Sequence, residues 1–343
     1  MPYDRDHVVL EAEQVTNISS QEYPHQFPND TRKFGLEAFR ENLQVKIWRV
    51  SRDEMEFDLV GLDASLANAF RRILIADIPT MAIETVFMMN NTGVIQDEVL
   101  AQRLGLVPIY ADPSAFTFKT ANQAPTDVNT IVFDLQVRCT RKPNPGPGET
   151  DPDKLYQHHS VYSGDLKWSP KGDQAEKFAD DPIRPVHSDI LLAKLRPGQE
   201  IHCEVHCQMG MGREHAKWSP VATASYRLLP HIVLKRPITG DQAERLQACF
   251  PEGVIGIVEE DGKRVAKVAN PRRDTVSREV LRHDEFKDLV ELKRVRNHFI
   301  FKIESSGIIP SSTLFSQSIK HLMHKVKVVM KAVEAMENSM VEE

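Results

Sequence analysis

A long amphipathic helix near the C-terminus constrains the fold of this chain more than any other feature. Ser311 or Ser312 can cap its start, and the helical pattern continues to about Asn338. Apolar residues recur at alternating steps of four and three, at Phe315, Ile319, Leu322, Val326, Val329, Val333 and Met336. We call this set the heptad stripe; Leu314, Met323 and Met330 widen it. An unbroken heptad repeat predicts one helix with a continuous apolar face.

The heptad stripe is too long for one small domain to cover easily. At about 1.5 Å per residue, the helix extends over roughly 35 to 40 Å. If this apolar face were left exposed, it would favour aggregation. We expect the chain's own sheet to cover part of it and a partner to cover the rest.

A second, shorter amphipathic helix is predicted from Asp63 to about Ile78. Asp63 can accept hydrogen bonds from the amides of the first turn, and Pro79 cannot continue the helix. One apolar stripe contains Leu66, Phe70, Ile73 and Leu74. Three polar residues lie off that stripe, namely Asn68, Arg71 and Arg72. By themselves they indicate either a solvated surface or a contact with something other than the core.

The rest of the chain predicts an α+β fold with a change of composition near Asn90 and again after Trp218. Residues 1 to about 40 are interpreted as an extension outside the core, with docking on a partner as the alternative. The alternation of Leu43, Val45 and Ile47 predicts a half-buried strand. Residues 141–184 are rich in Pro, Gly, Asp and Lys, and the stretch RKPNPGPGETDPDK, residues 141–154, is predicted to form a long loop.

Composition and charge exclude several classes of protein. The 343 residues suggest two domains, and 41% hydrophobic with 27% charged residues is typical of a soluble globular protein. A formal net charge of -6 argues against a free-standing nucleic-acid binder. Four scattered cysteines indicate a reducing compartment, and neither a membrane-spanning run nor a secretory signal is expected.

The sequence offers no strong candidate for a catalytic, nucleotide or metal site. Gly210-Met-Gly212 lacks the third glycine of a dinucleotide motif, so a tight turn is the favoured interpretation. In a strand, His202, Glu204 and His206 share one face, whereas the thiols of Cys203 and Cys207 share the other. A Cys-x-x-Cys pair is absent. We therefore expect two buried free thiols, no cofactor and no metal, with a metal-dependent hydrolase as a minor alternative.

Four motifs carry a resemblance to a known family. They are Asn68-Ala-Phe-Arg-Arg-Ile-Leu74 with Ile78-Pro-Thr-Met-Ala-Ile-Glu84, Gly212-Arg-Glu-His-Ala-Lys-Trp-Ser-Pro-Val-Ala-Thr-Ala-Ser-Tyr226, Arg273 to Arg282, and Phe299 to Gly307. Together with the terminal helix, they resemble the alpha family of RNA polymerase assembly subunits over most of residues 42–337. The similarity is greatest to the larger alpha-like subunit shared by RNA polymerases I and III. The missing Cys-x-x-Cys pairs fit that branch better than the polymerase II or archaeal one, which stays as an alternative.

This resemblance implies a dimerisation domain of sheet and long helices, interrupted by an inserted, mostly-β domain. The expected division is an extension over 1–41, the dimerisation domain over 42–86 and 223–343, and the insert over 87–222. The dimer interface and helical core are implied to contain Phe70, Ile73, Leu74, Phe315, Ile319, Leu322 and Val326. Contacts with a large subunit are implied for Asn68, Arg71 and Arg72.

The resemblance also implies the function. Such a subunit is not an enzyme; it pairs with a smaller alpha-like subunit, and the heterodimer forms the platform for the large catalytic subunits of RNA polymerases I and III. Its expected location is the nucleus and nucleolus, with little or no direct DNA contact, no membrane and no cofactor.

Overall fold

A computed structural model describes residues 6–18, 35–143, 148–260 and 262–341 of the chain. These residues form two compact units, each built from separate stretches of sequence. The first unit lies within Met1–Arg49, Glu56–Asn68 and Ser225–Lys302, and the second within Val50–Met55, Ala69–Ala224 and Ile303–Glu343.

Helices and strands are mixed along the described chain, which confirms the α+β prediction. The strands are β1 (His7–Leu10), β2 (Val15–Thr16), β3 (Gln44–Val50), β4 (Glu54–Val60), β5 (Pro79–Asn91), β6 (Ile109–Tyr110), β7 (Ile131–Arg138), β8 (Thr140–Arg141), β9 (Tyr156–Gln157), β10 (Ser160–Tyr162), β11 (Lys167–Trp168), β12 (Arg184–Pro185), β13 (Leu191–Lys194), β14 (Glu200–Met211), β15 (Val221–Leu234), β16 (Ile255–Glu260), β17 (Lys263–Val268) and β18 (Val290–Ser305). The α-helices are α1 (Leu36–Asn42), α2 (Ala64–Ala76), α3 (Asp97–Gly105), α4 (Pro152–Leu155), α5 (Gln174–Lys177), α6 (Asp241–Ala248) and α7 (Ser311–Val341).

A six-stranded sheet supplies the first unit with its framework. Its strands follow the order β2-β1-β18-β4-β3, and β15 also pairs with β18. Strand β1 runs antiparallel to β18, with Val8 opposite Arg294 and Leu10 opposite Leu292. Leu10 is buried in the same core as Phe286. The interpretation of this N-terminal segment as lying outside the core is therefore wrong for β1, while residues 19–34 of the predicted extension lie outside the described residues.

The second unit has its own sheet and its own core. The order of this sheet is β11-β7-β14-β5, and the long β14–β5 pairing runs antiparallel from Ile201 opposite Asn91 to Met211 opposite Pro79. Side chains from β5, β7 and β14 share one apolar core, including Ile83, Phe133 and Val205. All of these contacts are between strands distant in sequence. The alternation of apolar residues therefore predicts which face of each strand is buried, but not which strand pairs with it.

The loop predicted over residues 141–154 is wrong at its end, where helix α4 forms from Pro152. The rest of this polar segment, to residue 184, contains short strands β9 to β11 and helix α5. Val161 and Leu166 belong to the core of the second unit. The polar composition of this segment concealed those few apolar anchors; residues 144–147 lie outside the described chain.

Strand β3 forms where the alternation predicted it, but it is not half-buried. All seven of its residues are exposed. The strand lies at the end of the six-stranded sheet, next to β4. An edge position removes neighbours on one side, so the apolar alternation of β3 has no cover among the residues that the structure describes.

Helix α2 begins and ends as its sequence predicts. The side chain of Asp63 accepts a hydrogen bond from the backbone N–H of Ser65 at 2.8 Å. Asp63 therefore caps the helix. The last helical residue is Ala76, and Pro79 opens strand β5.

The two glycines of Gly210-Met-Gly212 serve close packing in the second unit. A Cβ on Gly210 would overlap the indole ring of Trp218, and one on Gly212 would overlap the carbonyl oxygen of Ile75. Trp218 is buried, and its indole N–H donates to the carbonyl of Gln208 at 3.0 Å. Gly210 lies within β14, so the tight-turn prediction is wrong there, whereas Gly212 stands in the turn that follows the strand.

Replacing Gly210 by Ala should destabilise the chain by about 1–3 kcal/mol, because the indole of Trp218 must move away from the added methyl group. Thermal unfolding monitored by tryptophan fluorescence measures this loss. Gly256→Ala is the matched control, since a Cβ there meets Ala269 at an ordinary 3.5 Å. Equal melting temperatures for the two variants would contradict the predicted overlap.

Candidate functional site

The first turns of helix α7 are anchored inside the second unit. Ser311 donates its backbone N–H to the carbonyl of Arg52 and its hydroxyl to the carbonyl of Ser51, both at 2.8 Å. Leu314 and Phe315 are buried. The ring of Phe315 meets that of Phe70 edge-on, with centroids 5.5 Å apart. The start of the heptad stripe is therefore part of this chain's own core.

The remainder of the heptad stripe emerges into solvent. Leu322 is half-buried, whereas eight large apolar side chains from Ile319 onward, on the stripe and beside it, are 38 to 66% exposed. These side chains are Ile319, Met323, Val326, Val328, Val329, Met330, Val333 and Met336. From Ile319 to Met336 the exposed face is about 25 Å long at 1.5 Å per residue. We call this face the open face of α7; monomeric proteins rarely leave such a contiguous apolar surface uncovered.

An ion pair links the middle of α7 to Asp77, the residue that follows helix α2. Lys325 Nζ lies 2.5 Å from the carboxylate oxygen Oδ2 of Asp77. Burial lowers the pKa of His321, and the positive charge of Lys325 lowers it further, although Asp77 opposes the shift. His321 is therefore neutral at pH 7. An ion pair thus links the side of α7 that carries Lys325 to the end of α2, whereas the open face is apolar.

Helix α2 divides the remaining site residues predicted from the sequence into buried and accessible ones. Ile73 and Leu74 are buried, and Phe70 is half-buried. Asn68 and Arg71 are half-buried and already make interactions within the chain, whereas Arg72 is exposed. Of the three polar residues, Arg72 is the most accessible to another molecule. Ile73 and Leu74 can act on an interface only from beneath its surface.

A buried charge cluster lies beside strand β3 in the first unit. Asp58 is 1% exposed, and its two carboxylate oxygens lie 2.5 Å from Arg272 Nη1 and 2.9 Å from His298 Nε2. Arg272 also donates to Glu56 at 2.6 Å and places its guanidinium 4.8 Å from the ring centre of Trp48. Sequence reasoning missed this cluster because its members are far apart in the chain.

Hydrogen bonds set the charge state of that cluster. Burial by itself would raise the pKa of Asp58, but hydrogen bonds from Arg272, His298 and Trp48 outweigh burial and lower the pKa below its ordinary value of 3.8. Asp58 is therefore ionised at neutral pH. The indole of Trp48 is fixed by Asp58 on its N–H and by Arg272 on its face.

The histidine and cysteine stretch on β14 has the arrangement predicted for buried thiols. Cys203 and Cys207 are buried, and burial raises the pKa of Cys203 to about 11. On the other face, His206 Nε2 lies 2.7 Å from Glu204 Oε1. Within the described ranges, no group of three His, Cys, Asp or Glu side chains is placed to hold a metal ion. Nor does any helix in those ranges combine the length and hydropathy needed to cross a membrane.

Comparisons with known proteins agree with the motifs. The model of the RNA polymerase Rpb3/Rpb11 dimerisation domain matches residues 56–326. The chain is 48% identical over 334 residues to the DNA-directed RNA polymerases I and III subunit RPAC1 of Mus musculus, covering 97% of this chain and 96% of the relative. It is 49% identical over 324 residues to the protein of that name in Saccharomyces cerevisiae, covering 93% and 96%.

A relative from another polymerase is less similar. The DNA-directed RNA polymerase II subunit rpb3 of Dictyostelium discoideum is 30% identical over 293 residues, covering 82% of this chain and 92% of the relative. The domain match spans both α2 and the first half of α7, the two helices that build the candidate site. This chain therefore belongs to the RNA polymerase Rpb3/Rpb11 dimerisation domain family.

Proposed function

We propose that this chain is a non-catalytic assembly subunit of DNA-directed RNA polymerases I and III. It pairs with a smaller alpha-like subunit, and the pair forms the platform for the large catalytic subunits in the nucleus and nucleolus. The observation that carries the proposal is the open face of α7, an apolar surface about 25 Å long in a family described by dimerisation. Near-full-length identity of 48 to 49% to subunits named for polymerases I and III supports the choice of branch.

The open face has the chemistry of a helix-pairing surface. Ile319, Leu322 and Val326 lie at heptad spacing, which lets side chains of a facing helix insert between them. Phe70 and Phe315 support that surface from within the second unit. Burying the exposed apolar area contributes about 25 cal/mol per Å², offset by the cost of association.

The other residues implied by the resemblance take secondary roles. Ile73 and Leu74 stabilise α2 from inside the core, and the exposed Arg72, with the half-buried Asn68 and Arg71, contacts a large subunit. The proposed domain division remains 42–86 with 223–343 for dimerisation and 87–222 for the insert.

Two alternative functions have less support. A polymerase II type of subunit fits less well, because the rpb3 relative is 30% identical rather than 48%. A metal-dependent hydrolase would use His202, Glu204 and His206. Among the described residues, no group of three such side chains is placed to hold a metal ion.

Purification of the tagged native chain at moderate salt, followed by mass spectrometry, tests the proposal. We expect a stoichiometric small alpha-like subunit together with the large subunits of polymerases I and III. Polymerase II subunits in their place would overturn the branch. A monomer without partners would overturn the function, since the open face of α7 would then have no cover.

A further inference from the structure

Strand β3 presents a second uncovered apolar surface, in the first unit. Val45, Ile47, Trp48 and Val50 are 51 to 61% exposed. No strand among the described residues pairs with the outer edge of β3, which is the last strand in its sheet. A long apolar edge strand is a template for another strand, and proteins normally shorten, twist or cover it. This edge therefore needs a cover that the described chain does not supply.

The two faces of β3 can be assigned from its contacts. The indole N–H of Trp48 donates a hydrogen bond to the Asp58 carboxylate, so both side chains lie on the same face of the sheet. Side chains alternate along a strand, which places Val45 and Ile47 on the opposite face, together with Phe57 of β4. Phe57 is fully buried. The buried apolar layer of β4 thus continues onto Val45 and Ile47, where it becomes exposed.

Trp48 has the properties of a preorganised binding anchor. Its ring is held by the guanidinium of Arg272 at 4.8 Å and by the hydrogen bond to Asp58, yet most of its surface is open to solvent. Aromatic side chains that are already fixed lose little conformational entropy on binding, and they are frequent hot spots of interfaces.

Charge indicates what kind of segment would bind. Strand β3 contains Lys46 and Arg49 and no carboxylate, in a chain whose formal net charge is -6. A strand added to β3 would place its side chains beside those of β3 on both faces. Apolar residues would meet Val45 and Ile47, and acidic residues would be attracted to Lys46.

We propose that the outer edge of β3 binds an extended segment of another polypeptide, in which apolar and acidic residues alternate, by adding it to the sheet as a seventh strand. This surface and the open face of α7 are formed by different residues, so the proposal does not depend on which subunit binds α7. Main-chain hydrogen bonds supply the affinity and the alternating side chains supply the specificity.

Hydrogen–deuterium exchange tests the added strand directly. Amide exchange over residues 44–50 is compared between the isolated full chain and the native complex. In an edge strand, alternate amides point outward, so we expect protection to rise at least tenfold at every second residue. Uniform exchange in both samples, or protection without alternation, would overturn strand addition in favour of an open edge or a docked helix.

A photocrosslinking amino acid at position 47 identifies what binds. Crosslinks to an apolar and acidic segment of another subunit support the proposal. Crosslinks to a second copy of this chain, or to nucleic acid, overturn it.

The variant Ile47→Glu supplies the binding test, because Ile47 is exposed and the change should not affect folding. We expect at least tenfold less of the crosslinked subunit in the purified complex, with the small alpha-like partner retained. The matched control is Val258→Glu, an exposed apolar residue of the β16–β17 hairpin. If Ile47→Glu leaves the composition of the complex unchanged, the proposal for β3 fails while the proposed role of α7 stands. If the native chain purifies without the small partner, the proposed role of α7 fails while the proposal for β3 stands.

Discussion

The double substitution Ile319→Asp with Val326→Asp is expected to abolish pairing with the small alpha-like partner. In the isolated chain these side chains are 38% and 50% exposed, so two carboxylates there remain solvated and the chain should fold. In a helix pair the same carboxylates would be buried without a partner charge. We expect the affinity to fall by about 100-fold or more, measured by co-purification and by titration of the purified subunits.

Matched substitutions one residue further along the helix provide the control. Lys320→Asp with Lys327→Asp has the same spacing and a larger change of charge, and both lysines are exposed off the heptad stripe. We expect this variant to keep the small partner. If the Ile319 and Val326 variant co-purifies with the partner as well as the native chain does, the open face of α7 is not the dimer interface.

A second large effect is expected from Asp58→Asn in the first unit. The change leaves the size of the side chain nearly unchanged but leaves the charge of Arg272 without its closest carboxylate. Removing one member of a buried ion pair costs about 3–5 kcal/mol. Urea unfolding of the full chain, followed by the fluorescence of Trp48 and the other tryptophans, should show a lower midpoint.

An exposed ion pair supplies the control for Asp58. Asp284 lies 2.5 Å from Lys287 and is 90% exposed, so Asp284→Asn makes the same chemical change in solvent. We expect its unfolding midpoint to match that of the native chain, because exposed pairs are screened by water. Equal midpoints for the two variants would show that the Asp58 cluster contributes no more to stability than an exposed ion pair does.

The effect of Asp58→Asn should also depend on pH. The pKa of Asp58 is lowered by folding, so the ionised carboxylate stabilises the folded chain above its ordinary pKa of 3.8. That stabilisation is lost as the pH falls through the lower folded pKa. The difference in the free energy of unfolding between the native chain and the variant should therefore be constant near neutrality and should decrease below pH 3.8. A difference that widens in acid would contradict the assigned charge state.

Local features were predictable because they depend on neighbours in sequence. The start of α2 at Asp63 and its end before Pro79 follow from the chemistry of single residues, and both are confirmed. The long helix α7 follows from a repeat that no other regular structure satisfies. The motifs around Asn68 and Trp218 were specific enough to indicate the family, which the domain match confirms.

Position on the heptad stripe does not predict whether a residue is buried in the core or exposed on the surface. Phe315 and Val329 occupy equivalent positions of the heptad repeat, yet Phe315 is buried against Phe70 and Val329 is 62% exposed. A periodic pattern states which residues share a face of a helix. How far along that face the rest of the fold extends depends on elements distant in sequence.

The sequence by itself determined helices α2 and α7, the absence of strong catalytic motifs and the family. Only the tertiary structure decided that β1 joins a sheet with β18 and that β3 is left as its edge. It also brought Asp58 together with Arg272, 214 residues further along the chain. Contacts of this kind are non-local: they form when packing of the whole core offsets the entropy of closing long loops, and no local pattern records that balance.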